Sequence, residues 1–240
     1  MQPVNETQQS TTDSTDNAHA KQEKEVEAIS RWAALAGALG IGLLYLALPD
    51  KLTFGPSWLL LVIEAVLLLP FILASIFRHP LRHITARVTG LTLLGVVTAG
   101  LAGSVSLLIY YLPQERGIVL LRSAALLWCT NILVFALWYW EIDGGGPRKR
   151  LNRGHQAADF MFPQQVDGNT TKWAPHFIDY LFLAFTGATA LSPADTFPLT
   201  RPAKILMMIE AMLSLMSCRR FVCTTSLPRR EDTLRETLTW

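Results

Sequence analysis

The sequence predicts an all-α protein, a transmembrane helix bundle of about six spans with both termini cytoplasmic. Three observations predict it. Half of the residues are hydrophobic and only 17% are charged, which is too apolar for a soluble domain of this length. The excess is gathered into long runs, and a helix needs about 20 mostly apolar residues to cross the hydrocarbon core. Lys and Arg, finally, are divided unevenly between alternate connecting segments, the signal that orients membrane helices.

Residues 1–30 are polar and rich in Gln, Thr, Asp and Glu, cannot bury enough apolar surface to fold, and are expected to form a disordered tail. A secretory signal needs a basic start followed at once by an apolar core, which this tail does not offer. The first apolar run should therefore act as an uncleaved anchor. Residues 31–141 form a four-span region with runs at Trp32–Leu48, Trp58–Phe77, Val88–Leu112 and Gly117–Trp140. Among these runs only the last carries a basic residue, Arg122, which lies one turn inside and can snorkel. A cytoplasmic loop is expected at 142–175. Two shorter runs, Phe177–Leu191 and Ala203–Cys218, form a hairpin within 176–218, and 219–240 is a basic, polar tail.

Small residues recur four apart within the spans: Ala34, Ala38 and Gly42; Ala99 and Gly103; Ala184 and Ala188. Such stripes let helix backbones approach closely in lipid, where packing rather than water exclusion drives association. With six spans and the amino terminus inside, sixteen Lys and Arg fall on the inner side and five on the outer.

Several function classes are disfavoured. The basic residues are scattered between apolar runs, so no nucleic-acid surface is expected. Cys129, Cys218 and Cys223 lack metal-ligand spacing, and Cys129 is read as a small buried thiol. His79 and His83 have the spacing of a helical metal pair, but Pro80 lies between them and no third ligand is near. Gly144–Gly146 offer a flexible turn and an anion nest, without the strand and lysine that nucleotide binding needs. No nucleophile–base or paired-carboxylate arrangement stands out, so neither an enzyme nor a cofactor is expected.

The stretches "NILVFALWYWEIDGGGPRKR", "ADFMFPQQ" and "HFIDYLFLAFTGATALSPADTFPLTRPAKILMMIEAMLSL" resemble a family of uncharacterised bacterial integral membrane proteins. The likeness runs from Asn131 to Leu215, and it implies a multi-pass protein of the bacterial cytoplasmic (inner) membrane. Relatives stay apolar for longer where this chain has Arg219 and Arg220. The same C-terminal third is also similar to the pore module of two-span potassium channels. Thr186 and Thr189 precede the turn, and Asp195 and Pro198 follow it. Where that family has Gly-Tyr-Gly, this chain has "LSPA", and Pro193 restricts the backbone that a carbonyl-lined filter needs.

A plainer reading of the same stretch is a double helix start. Ser192 caps a helix with Pro193 first and Asp195 at its third position, and Thr200 caps again ahead of Pro202. This connector reading is preferred, because a pore loop entering from outside would reverse the charge bias.

Glu64 and Glu210 lie near the middle of the second and last runs. Ionisable groups at that depth are costly and face the bundle interior, and they mark proton or cation paths unless they only tie helices together. Asn131, Thr186 and Thr189 either line a polar path or bond across helices, and Asp195 stands at the turn. Trp138, Tyr139 and Trp140 read as interface anchors, with Arg148, Lys149 and Arg150 as a basic cluster on the lipid surface. Permeation or transport of an ion or small solute through Glu64, Asp195 and Glu210 is narrowly favoured. The alternatives are a non-transporting scaffold or lipid-contacting subunit, and a channel-like tetramer without a potassium filter. Expected partners are the lipid bilayer, an ion or small solute, and further copies in a homo-oligomer.

Overall fold

A computed structural model describes residues 32, 34–53, 58–76, 83–111, 117–169, 173–189 and 195–226. The chain is mostly helical. The helices are α1 (Ala34–Leu46), α2 (Trp58–Ile76), α3 (His83–Tyr110), α4 (Gly117–Ile142), α5 (Pro147–Asn152), α6 (Phe177–Ala188) and α7 (Arg201–Ser226). Two of them, over Arg87–Tyr110 and Ile118–Gly145, are long and apolar enough to cross a membrane. The expected amino tail, His79, Ser192, Pro193 and residues 227–240 lie outside the described residues.

Helix α4 is the centre of the packing, with α3, α6 and α7 laid against it. Phe135, Tyr139, Phe160, Tyr180, Leu183 and Ala184 fill the space between α4, α6 and the segment that joins them. Small residues set how close the helices come. A Cβ on Gly37 would lie 3.0 Å from the Phe177 ring, and one on Gly40 would lie 3.5 Å from Leu133. Ala34, Ala38, Ala184 and Ala188 are buried as their spacing suggests, whereas Ala99 is exposed and Gly103 half-buried.

The α4–α6 segment is an ordered cap rather than a plain loop. Helix α4 ends in a 3-10 turn, Asp143–Gly145, where Gly144, Gly145 and Gly146 all take positive φ. Only glycine takes such a run without strain. The Gly144 amide donates to Asp159 Oδ2 at 2.9 Å, so the expected anion nest is filled by the chain's own carboxylate. Farther on, Asn169 Nδ2 donates to the carbonyls of His155 and Trp173, and Gln165 Nε2 donates to that of His155. Arg87 of α3 reaches across to the Gly145 carbonyl at 2.9 Å.

Two short strands decide the layout. Strand β1 (Phe160–Met161) pairs antiparallel with β2 (Phe197–Pro198), just before α7. The Leu199 amide donates to the Asp159 carbonyl, and Thr200 Oγ1 donates to Asp159 Oδ1 at 2.6 Å. The segments before α6 and after it therefore lie together. This departs from the six-span layout, which puts them on opposite membrane faces. The reason is length: the 12 residues of α6 span only about 18 Å at 1.5 Å per residue. That is well short of a hydrocarbon core of about 30 Å.

Helix α6 opens with Asp179 accepting from the His176 amide at 2.7 Å, the return half of a capping box. The expected second cap differs in detail. Asp195 lies in a bend ahead of β2 rather than in the first turn of a helix. Thr200 does precede α7, but its hydroxyl is taken by Asp159 instead of an amide of its own helix. Helix α7 also continues through Arg219 and Arg220 to Ser226, past the expected end of the last run.

Candidate functional site

The site assembles on three helices. Asn131, Phe135 and Tyr139 recur four apart on α4, which stacks them on one face. Glu210 of α7 is fully buried opposite them. The Tyr139 hydroxyl donates a hydrogen bond to Glu210 Oε2. Asn131 Nδ2 donates to the backbone carbonyl of Glu210 at 3.3 Å. Helix α6 supplies the third wall with Gly187, where a Cβ would stand 2.7 Å from Glu210 Oε2. A side chain at this position would have to displace the carboxyl, so the glycine leaves room for it.

Two acceptors in this site, Glu210 Oε1 and Asn131 Oδ1, are buried and have no hydrogen-bond partner. Leaving such groups unpaired costs about 1–3 kcal/mol each. The carboxyl also sits near the end of α6, one residue from Ala188, whose carbonyl accepts from Ser214 Oγ at 2.5 Å. The carboxyl-terminal end of a helix carries partial negative charge and favours a cation nearby. An acidic side chain, a helix carboxyl end and two unpaired oxygens together call for a positive charge. A proton or a small cation would supply it.

The other expected residues are placed as follows. Thr186 is buried, but its hydroxyl donates back to the Leu183 carbonyl, and Thr189 caps the end of α6 by donating to Phe185. Neither hydroxyl is offered to a path. Asp195 is exposed, on the side of β1 and β2. Glu64 is buried separately, on α2 against α1. The structure thus joins Asn131 to Glu210 and leaves Glu64 and Asp195 apart from them.

Three expectations need correction. Arg150 does not belong to a lipid-surface cluster. It is 4% exposed, lies 5.4 and 5.2 Å from the Trp140 and Tyr180 ring centres, and donates to the Trp140 and Asp143 carbonyls. Lys149 does face outward, while the Arg148 side chain lies outside the described residues. Tyr139 is not an interface anchor but the partner of Glu210. Trp138 likewise spends its Nε1 on Thr98 at 2.8 Å, and Trp140 is buried. Cys129 is exposed rather than buried, because it falls on a part of α4 that the neighbouring helices leave uncovered.

A second polar cluster went unnoticed in the sequence. Asp143 Oδ1 accepts from the Asp159 and Phe160 amides, and its Oδ2 accepts from Tyr180 O–H at 2.5 Å and lies 4.0 Å from Arg150. Every charge in it is answered, which marks it as a joint. The available signal was an Asp and an Arg seven apart around three glycines, a spacing that suits a buried clasp as well as a surface one.

Fold and site define a mostly helical protein that pairs two helices able to cross a membrane with a carboxyl group enclosed in its core. No family model, curated protein or solved structure matches the chain. The functional reading therefore rests on the chemistry of the site.

Proposed function

We propose that this is a multi-pass protein of the bacterial cytoplasmic membrane that moves protons or small cations, with Glu210 as the central binding group. The observation that carries the reading is the Glu210 carboxyl, with no solvent exposure, one oxygen held by Tyr139 and the other unpartnered. Buried ionisable groups among apolar helices mark ion paths and proton relays. Outward-facing Leu43, Val66, Ile118, Phe182, Met208 and Met212 support hydrocarbon surroundings. Asn131 and Tyr139 position the carboxyl, and Gly187 keeps the space for it.

The test is flux in liposomes containing the purified protein, followed with pH- and cation-sensitive dyes. Wild-type protein is expected to pass protons or an alkali cation, Glu210→Gln to lose that flux, and Tyr139→Phe to retain part of it. Wild-type flux no greater than that of empty liposomes, or undiminished flux in Glu210→Gln, overturns the reading.

The topology belongs to the same proposal. Helix α6 enters the membrane and the chain returns to the face it came from. The Arg78–Arg87, Arg148–Arg153 and Arg201–Lys204 basic residues then share the cytoplasmic face, and the termini lie on opposite sides. In a protein with its three cysteines replaced, single cysteines at the exposed positions Gln156 and Asp195 are expected to react with a charged thiol reagent from the same side. Labelling from opposite sides restores a full crossing at α6.

A further inference from the structure

We infer that Glu64 and Gly42 form a second carboxyl seat, a proton-binding site between α1 and α2 that is reached from the lipid phase and not from water. It lies apart from the Glu210 site and does not depend on it.

The construction is the same in both places. Glu64 is 3% exposed, and its Oε2 has no hydrogen-bond partner. A Cβ on Gly42 would stand 2.5 Å from that oxygen and 3.5 Å from Leu61 Cδ1. The carboxyl therefore fills the notch that a glycine leaves on the neighbouring helix, as Glu210 fills the notch at Gly187. Gly42 continues the Ala34 and Ala38 stripe, so α1 comes close enough for its backbone to cover the acid.

What surrounds the seat identifies its ligand. Tyr45, the titratable group of α1 within a turn of Gly42, shares its hydrogen bond with Ser104 of α3 at 3.3 Å. No hydrogen bond or ion pair reaches Oε2 among the described residues. Leu59, Val62, Val66 and Leu69 lie on the opposite face of α2, where they are exposed, so the helix that carries the acid presents hydrocarbon to its surroundings. An ionised carboxylate in such a place has no donor to replace the hydration of Oε2, and that cost exceeds the cost of burying a neutral acid. A metal ion would need several oxygen ligands, and no group of three acidic, His or Cys side chains is found among the described residues. A proton needs only one.

A hydrophobic carbodiimide reads this state directly. The carboxyl O–H adds across one C=N bond. The proton passes to nitrogen, the oxygen bonds to the central carbon, and the adduct rearranges to an N-acylurea of the same mass. Full-length protein in lipid vesicles is treated with dicyclohexylcarbodiimide or with a charged, water-soluble carbodiimide, then digested and weighed by mass spectrometry. Glu64 is expected to carry the adduct of the first reagent and not of the second. Glu64→Gln should abolish it, Gly42→Ala should lower it several-fold, and Glu210→Gln should leave it in place. Gly95→Ala is the folding control, since a Cβ there meets nothing within 4 Å. No adduct at Glu64 in folded wild-type protein, or equal reaction with the water-soluble reagent, overturns the inference. Neither result touches the flux proposed for Glu210, which liposome assays decide separately.

Discussion

Asp143→Ala is expected to lower stability by about 3–5 kcal/mol, the usual cost of removing one member of a buried, hydrogen-bonded ion pair. The loss follows from what Asp143 holds. Its carboxylate is the shared acceptor for the Tyr180 hydroxyl and the Asp159 and Phe160 amides, and it faces the Arg150 guanidinium. Without it, Arg150 loses its hydrogen-bonded carboxylate neighbour and keeps two backbone carbonyls, two aromatic rings and the electrostatic influence of Glu141. Tyr180, fully buried, would lose its acceptor as well.

Arg150→Met is expected to cost less, because Asp143 would keep three donors and Met would keep apolar contact with the Trp140 and Tyr180 rings. The double variant, Asp143→Ala with Arg150→Met, should be no less stable than Asp143→Ala alone. Denaturation in detergent followed by Trp fluorescence measures all three. The exposed Asp195→Ala serves as reference, and its expected change is within about 0.5 kcal/mol. If Asp143→Ala falls in the same range as Asp195→Ala, the cluster is not the joint that orders the cap.

Gly187→Val is expected to destabilise the protein by about 1–3 kcal/mol, the cost of overpacking a filled core. The cause is local. A Cβ at Gly187 would stand 2.7 Å from Glu210 Oε2 and 3.2 Å from its carboxyl carbon, so a branched side chain must displace the acid or push α6 away from α7. Displacing the acid pulls Oε2 from the Tyr139 hydroxyl, so proton or cation flux should fall with stability.

Glu210→Ala is expected to destabilise on its own by stranding Tyr139, but in the double variant it removes the collision. The two changes should therefore be non-additive, with a coupling of about 0.5–3 kcal/mol that favours the double variant. Simple additivity would mean that the carboxyl is not seated on Gly187. The same measurement made with Gly187→Ala should give the same sign and a smaller effect, since one methyl asks less of its neighbours than two more.

How far residue patterns reach can be seen along α4. Its length and apolar character were legible, and Glu210 of α7 stood out as a group to be enclosed, because an acid amid apolar residues is conspicuous whatever surrounds it. The partner of that acid was not. Tyr139 sits between two tryptophans at the end of an apolar run, where amphipathic rings ordinarily mark a membrane interface. Its turn toward α7 has no local signature. Cys129 errs the other way. In lipid, the outward face of a helix is as apolar as the inward one, so hydropathy loses the periodicity that separates core from surface in soluble helices.

By itself the sequence determined a mostly helical protein with long apolar segments and two acids, Glu64 and Glu210, set within them. Those properties depend on the cost of moving each side chain between water and an apolar phase, which residue type sets. Only the tertiary structure decided which residues meet. It joined Phe160–Met161 to Phe197–Pro198, drew Arg150 inward onto Asp143, set Glu210 against Gly187 and Tyr139, and kept Glu64 apart with Gly42. Two-residue strands and single hydrogen bonds between distant segments leave no periodic trace in the chain. They exist because the short α6 returns the backbone to the segment it left, where the polar groups of one connection become the partners of the other.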